Sequence, residues 1–484
     1  MSVRNTVKSI QDIMRQDVGV DGDAQRISQL CWMFFLKIID DQDRELELTQ
    51  PDYRSPIPEL YQWRAWAADP EGITGETLLD FINEELFPSL KELPVTAQNG
   101  RRRVVRSVFE DAYNYMKSGQ LLRQVVNKLN AIDFNNLKER QHFGDLYEQI
   151  LNDLQSAGNA GEYYTPRAVT AFMAERIDPR PGEILFDPAC GTGGFLTCAI
   201  RHIRERYVKT TADEQRMQRA LRATEKKQLP HMLCVTNLLL HGIDDPSFVH
   251  HDNTLARPYI SYGAGDRVDI ILTNPPFGGR EEGGIESNFP KQFQTRETAD
   301  LFLALIVRLL KNGGRAAVVL PDGSLFGEGI KTRLKEHLLE ECNLHTIVRL
   351  PNSVFKPYAS IGTNLLFFEK GQPTREVWFY EHRVPEGQKA YSMTRPIKVE
   401  HLHGCVDWWG GPQRQGRQAT EQAWQVGIEE IKARNYNLDF KNPHTVASNH
   451  GDPNELLTLL EADEGRVAAL RDQLQAILAE ALLR

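Results

Sequence analysis

Four consecutive residues, Asn274-Pro275-Pro276-Phe277, carry the groups needed to hold a planar base while its exocyclic amino group reacts. An Asn side-chain oxygen and the Pro275 carbonyl can accept both hydrogens of an amino group and draw its lone pair out of ring conjugation. The Phe277 ring can stack on a base taken out of a helix. Taken alone, the tetrapeptide reads equally well as a structural Asn-Pro turn. Its setting is more telling: the apolar run Val268-Asp269-Ile270-Ile271-Leu272-Thr273 stops at the two prolines. That is the pattern of a buried strand emptying into a rigid loop, at the sheet edge where open α/β folds bind ligands.

A second constellation lies upstream. Asp187-Pro188-Ala189-Cys190-Gly191-Thr192-Gly193-Gly194-Phe195 follows the strand-like 183–186 and opens a helical pattern running to Tyr207. Its glycines permit positive φ and let a ligand approach the backbone closely. Asp187 ends the strand where a carboxylate can meet the amino end of a small cationic ligand. The turn lacks the Gly-x-Gly-x-x-Gly order of dinucleotide sites and the Gly-Lys-Ser/Thr of P-loops, which disfavours NAD and ATP. About one βαβ step further on, a weak strand at 220–224 ends at Glu225. This acid is placed to accept ribose hydroxyls, with a plain surface charge as the other reading.

Together with Gly161-Glu162-Tyr163-Tyr164-Thr165-Pro166-Arg167, these motifs resemble those of S-adenosylmethionine-dependent adenine methyltransferases. Over nearly its full length, through Tyr436-Asn437-Leu438-Asp439 to the last helix, the chain is similar to the modification subunit of type I restriction-modification systems. The resemblance implies a doubly wound, Rossmann-like α/β methyltransferase domain with an N-terminal helical domain and a C-terminal helical tail. It implies methylation of adenine N6 at a specific site in duplex DNA, with the base flipped out of the helix.

Residue by residue, the resemblance implies cofactor contacts from Glu162, Tyr164 and Thr165, in a segment lying over S-adenosylmethionine. Asp187, Pro188, Gly191, Thr192, Gly193, Gly194 and Phe195 would form the cofactor loop, with Glu225 beyond it. Asp252 would meet the cofactor's adenine amino group, with Asn253 as substitute. Asn274, Pro275, Pro276 and Phe277 would be catalytic, and no strong base is needed because the departing proton becomes acidic once the nitrogen is alkylated. The implied partners are duplex DNA, a specificity subunit bound by two copies of this chain, and a restriction motor-nuclease subunit.

The elements that must position these residues divide the chain into four. Residues 1–160 read as a helical domain, with an apolar face over 25–39 and helical spacing over 145–154. Residues 161–395 form the expected methyltransferase domain, within which 183–382 alternate strand and helix patterns, the mark of a doubly wound sheet. They include strands at 248–255, 268–273 and 315–320, and an antiparallel pair at 344–350 and 364–368. The Gly-rich 278–298 run shows little periodicity and reads as a mobile loop or a disordered segment. Residues 396–450 read as an irregular connection. Residues 451–484 read as a final helix, capped at Asp452, whose Val467, Leu470, Leu474, Ile477 and Ala481 make a short seam. In the resembled family such helices join the specificity subunit.

The 484-residue chain is 41% hydrophobic and 25% charged, ordinary proportions for a globular protein. No apolar run approaches membrane-spanning length and no signal-peptide core follows Met1, so a cytoplasmic location is expected. Six cysteines form no zinc-type cluster, and Cys190 reads as small loop filling, so neither metal nor disulfide framework is expected. The net charge of −9 argues against a chain that grips DNA alone. Residues 1–150 carry 18 basic and 24 acidic side chains, and 446–484 carry 3 and 7, leaving a nearly neutral middle. The Arg101-Arg102-Arg103 and Arg106 cluster is a solvated helix face or, less simply, a phosphate contact. Two other functions fit the same motifs: a stand-alone methyltransferase acting on protein glutamine or RNA, and a cofactor-binding scaffold that no longer catalyses.

Overall fold

The computed structural model describes residues 3–96, 99–136, 144, 147, 151, 164–356, 359–444, 460 and 463–475. They fall into two compact units, Met1–Phe440 and Lys441–Arg484. Most of the expected 145–154 helix, the hinge residues 161–163 and the Asp452 cap lie outside the described residues, as do Ile477 and Ala481.

The strands are β1 Leu185–Asp187, β2 Leu221–Glu225, β3 Val249–His251, β4 Val268–Thr273, β5 Leu310–Pro321, β6 Cys342–Leu350, β7 Thr363–Lys370, β8 Glu376–Glu381 and β9 Ala423–Gly427. They form one sheet in the order β3-β2-β1-β4-β5-β7-β6-β8-β9. The first five are parallel, and β7 runs antiparallel between β5 and β6. This is the expected doubly wound architecture. The order reverses between β1 and β4, which is where such sheets leave a crevice at their carboxyl edge. The last pair was not foreseen: β9 and the helix Ile428–Ala433 lie in the stretch read as irregular.

Strand alternation builds two buried layers. Ile270 and Leu272 join a cluster that also holds Trp32, Phe34 and Phe35 of the helix Asp23–Thr49. Ile271 faces the other way, among Ala304, Leu305 and Val318. From Leu30 to Ile39 every residue of that long helix is buried, so it is a core helix rather than a surface one. The junction is also polar: Gln228 Nε2 donates to the carbonyls of Ser107 and Val108 at 3.2 and 2.6 Å.

The arginine cluster splits by face. Arg101 turns inward to Gln42 and Asp43 and over the Tyr53 ring, while Arg103 and Arg106 stay exposed. Of the two tryptophans at 408–409, Trp409 is buried against Phe367 and Phe172, and Arg417 stacks on both indoles. In the second unit, 463–475 is helical and Val467, Leu470 and Leu474 are exposed. No helix among the described residues is long and apolar enough to cross a membrane.

Arg315 on β5 holds the helix Arg167–Ile177 to the sheet. It donates to the carbonyls of Ile177 and Asp178 at 2.6 and 2.7 Å, and both Glu183 oxygens at 2.8 Å. Because that helix starts beside Thr165, its position sets the cavity wall described below. Arg315→Ala strands these acceptors, and urea unfolding should show a loss of roughly 2–4 kcal/mol; a loss under about 0.5 kcal/mol would show that the clamp is unimportant.

Candidate active site at the carboxyl edge of the sheet

Asn274 leaves β4 directly into a cavity of about 210 Å³. The cavity wall brings together Thr165, the loop residues Gly191, Thr192, Gly194 and Phe195, then Glu225, Asn274 and Pro276. These come from widely separated parts of the sequence and meet because β1, β2 and β4 are neighbours ending at one edge.

Asn274 Nδ2 donates to Thr165 Oγ1 at 3.0 Å, while its Oδ1 is buried with no hydrogen-bond partner. A buried carbonyl oxygen left unpaired costs about 1–3 kcal/mol, so it marks a place where a donor is missing. Phe277 lies half-buried beside this point, edge to face with Phe355 at 5.6 Å between centroids. Pro275 is buried, and neither it nor Phe277 reaches the cavity wall.

The glycine loop is packed as tightly as its composition suggests. Gly193 has φ 81°, and a Cβ there would come within 2.8 Å of Cys234 Sγ. A Cβ on Gly194 would fall 1.8 Å from Arg167 Nη1. Glu225 braces the loop by accepting the Gly191 N–H at 2.9 Å and the Lys227 N–H at 2.8 Å. Burial raises its pKa although these two N–H groups oppose the shift. Cys190 Sγ sits 3.7 Å from Cys234 Sγ, and that contact together with burial raises its pKa, so it fills the loop as a protonated thiol.

Several expected contacts are not brought to the cavity. Asp187, Pro188 and Gly193 lie off its wall, and the Asp187 carboxyl is fully buried at the end of β1. Tyr164 turns to a neighbouring cavity, with the Arg167 guanidinium 5.0 Å over its ring. Asp252 is exposed and, with Asn253, lines a separate cavity of about 330 Å³. The cause is local: β3 is only three residues long, and the chain turns at once into a 3-10 turn at Thr254–Ala256. Asn253 spends its Oδ1 capping that turn, accepting the Leu255 N–H at 3.0 Å. Glu162 lies outside the described residues.

Other wall residues carry no local signal in the sequence. Lys226 and Lys227 follow Glu225, and Gly279, Arg280, Glu281 and Thr298 close the far side. Glu281 sits in a Gly-rich run whose composition suggests solvent, yet it is 6% exposed.

Asp187 gives the site a pH signature. Burial pushes its carboxyl from 3.8 up to about 7; the nearby Thr273 hydroxyl and the Ala189 N–H oppose this and Glu225 adds to it. The Thr273 hydroxyl is close enough to Asp187 to ease its charge, without the geometry of a full hydrogen bond. The folded chain therefore keeps this proton after the unfolded chain has lost it, so the group's contribution to stability falls as pH rises from 3.8 to about 7. Asp187→Asn removes that dependence. Its stability advantage over the unsubstituted chain should be about 1–2 kcal/mol larger at pH 8 than at pH 5.5 in urea titrations; an equal advantage at both values would contradict the assignment.

Comparisons with known proteins agree with this architecture. Residues 138–451 match the family model for N-6 DNA methylase, and residues 3–129 match that of the HsdM N-terminal domain. The chain is 60% identical over 485 residues to the methylase subunit of the type I restriction enzyme EcoEI of Escherichia coli, covering 100% of this chain and 99% of that one. It is 29% identical over 428 residues to the StySPI methylase subunit of Salmonella potsdam, covering 84% and 75%. Among solved structures, a modification subunit assigned to a type I restriction enzyme of Vibrio vulnificus YJ016 superposes with a TM-score of 0.81 at 43% identity, over 92% of this chain and 98% of that one. A chain from a type I restriction-modification system studied for its assembly superposes with a TM-score of 0.83 at 34% identity, over 99% and 98%. On this evidence the chain belongs to the N-6 DNA methylase family, as a methylase subunit of type I restriction enzymes.

Proposed function

We propose that this chain methylates the exocyclic N6 of an adenine flipped out of a specific site in duplex DNA, using S-adenosylmethionine. The observation that carries the reading is the buried, unpartnered Asn274 Oδ1 in the same cavity as the glycine loop. The residues present fit the cofactor: Gly191 and Gly194 put bare backbone on the cavity wall beside Thr192 and Phe195, and the Glu225 carboxylate stands on the same wall. Gly191, Thr192, Gly194, Phe195 and Glu225 would hold it, with Thr165 over it. When bound, it supplies an electrophilic methyl group. Asn274 Oδ1 and the Pro275 carbonyl accept the two amino hydrogens and turn the nitrogen lone pair out of the ring plane. Phe277, braced by Phe355, stacks on the base. Flipping costs a few kcal/mol, and catalysis is then positioning and electrostatics, with the proton leaving an already alkylated nitrogen.

In the same reading the chain works in the cytoplasm within a larger assembly. Two copies bind one specificity subunit, which reads the sequence, and a motor-nuclease subunit adds restriction. The exposed Val467, Leu470 and Leu474 of the tail, spaced by three and four, suit docking against the helices of a specificity subunit. The chain's functional organisation is then an N-terminal helical part to residue 160, a methyltransferase part from 161 that β9 extends past residue 395 by pairing with β8, and the tail from 451.

Methyl transfer from labelled cofactor to duplex DNA, by the chain alone and co-expressed with a specificity subunit, tests the reading. N6-methyladenine should appear only with the subunit; none in either case sinks it. Asn274→Ala should bind cofactor normally yet lose transfer by about 10³-fold. Thr165→Val frees the Asn274 amide and should lower kcat about tenfold, with Thr165→Ser restoring it. Unchanged turnover in Thr165→Val would show that the Asn274 amide needs no external orientation.

A further inference from the structure

We propose that Glu281 is a latch. It positions the neck of the 278–298 segment across the cavity and so holds the Asn274 loop against the strand exits that form the cofactor wall, while the buried Phe289 and Phe293 anchor the middle of the segment in the core. The segment is not the open loop its composition suggests. Its neck is closed by a bridge between Arg280 and Glu297, and by the Thr298 N–H donating to the Gly279 carbonyl at 3.0 Å. The Glu281 N–H donates to the Arg296 carbonyl at 2.9 Å, and Arg296 Nη2 donates to the Glu281 carbonyl at 2.9 Å.

Backbone bonds make the neck, and the Glu281 side chain ties it to the rest of the site. Its Oε1 accepts the Thr298 hydroxyl at 3.2 Å. Its Oε2 accepts Lys226 Nζ and Asn253 Nδ2, both at 3.1 Å. Lys226 follows β2 and Asn253 lies just past β3, whereas Glu281 descends from β4 through Asn274. One buried carboxylate thus joins three strand exits, and Gly279, Arg280 and Thr298 reach the cavity wall only while the neck stays docked. Hydrogen bonds to an ionised acceptor are stronger than neutral ones, and the buried donors left behind would add their own cost. Glu281 acts through the segment and so is a positioning residue. The inference rests on the cofactor reading only for its affinity arm.

The test uses the full-length chain. Arg280 and Arg296 put trypsin sites in the neck, so cleavage there reports undocking, whereas Lys291 lies between the buried Phe289 and Phe293, and calorimetry with S-adenosylhomocysteine reports the cavity. Glu281→Ala should speed cleavage within the segment, and weaken S-adenosylhomocysteine binding, each by about tenfold or more, with cleavage elsewhere unchanged. Glu281→Gln keeps the pattern, its carbonyl accepting from Lys226 and Asn253 and its amide donating to Thr298, and should stay within about threefold on both readouts. Wild-type cleavage and affinity in Glu281→Ala would overturn the latch, as would acceleration spread evenly along the chain. If Glu281→Ala fails to fold, Asn253→Ala and Lys226→Met each remove one donor; segment cleavage at the wild-type rate in both would overturn it equally. Faster segment cleavage in Glu281→Ala, from a wild-type chain that does not bind S-adenosylhomocysteine, would support the latch and sink the cofactor reading.

Discussion

A side-chain oxygen buried without a donor is an expensive thing to keep, and this fold keeps one at Asn274 Oδ1. It does not stand alone, because Thr273 Oγ1 and Asp187 Oδ2 are buried and unpartnered as well. Thr273 and Asn274 are consecutive at the end of β4, and Asp187 ends the adjacent β1. Each would relax by moving toward water or toward a partner. None can, because β4 is hydrogen-bonded on one side to β1 and on the other to β5, with apolar layers against both faces. The sheet's rigidity is therefore what holds uncompensated polarity at its carboxyl edge, and of these three residues it is Asn274 that stands on the cavity wall, where a ligand can supply the missing donor.

The same edge explains why small residues and short turns accumulate where they do. Between β1 and its following helix the chain must reverse while leaving the cavity open and keeping clear of Cys234 and Arg167. Gly193 and Gly194 are the residues that meet both demands. Glu225 then restrains the turn from the next strand by accepting the Gly191 N–H. That leaves it little freedom to swing outward, so its contribution to any ligand is made from a fixed position. Fixed acceptors and fixed dipoles need no reorganisation when charge moves in a reaction, which suits the positioning chemistry proposed for this cavity.

The parts legible in the sequence were those whose signal is local. The β-branched run of β4, the two prolines that stop it and the glycine turn each state their geometry within a few residues, and the structure places them at one edge. What escaped depends on contacts distant in sequence. Asp252 and Asn253 stand at the right strand exit by count, but β3 ends early and Asn253 is used up capping the next turn and bonding Glu281. Glu281 is hidden in a run that reads as mobile or disordered because nothing in Gly-Gly-Arg-Glu-Glu announces Lys226 and Asn253 as its partners. β8 and β9 were missed for a related reason. β9 has only five residues and pairs with β8 across the long 382–422 connection, so neither strand's hydrophobic pattern identifies its neighbour.

The N-terminal helices bear on the site more directly than a separate domain would. Their buried side chains and one face of the sheet make a single continuous core, and the contact runs along the helix Gln228–Leu240. Cys31 Sγ lies 3.4 Å from Thr236 Oγ1, and Gln228 reaches the carbonyls at the end of the helix Gly100–Phe109. Gln228 also immediately follows Lys226 and Lys227, which stand on the cavity wall beside Glu225. Close-packed interiors deform little and transmit displacement instead of absorbing it. A shift of the helical layer must therefore either break this core or carry the cavity wall with it. Motion that opens the site without that cost has to come from elements held by a few polar contacts, and the neck of the 278–298 segment, tied at Glu281 to Lys226, Asn253 and Thr298, is such an element, whereas Phe289 and Phe293 fix the middle of the segment in the core.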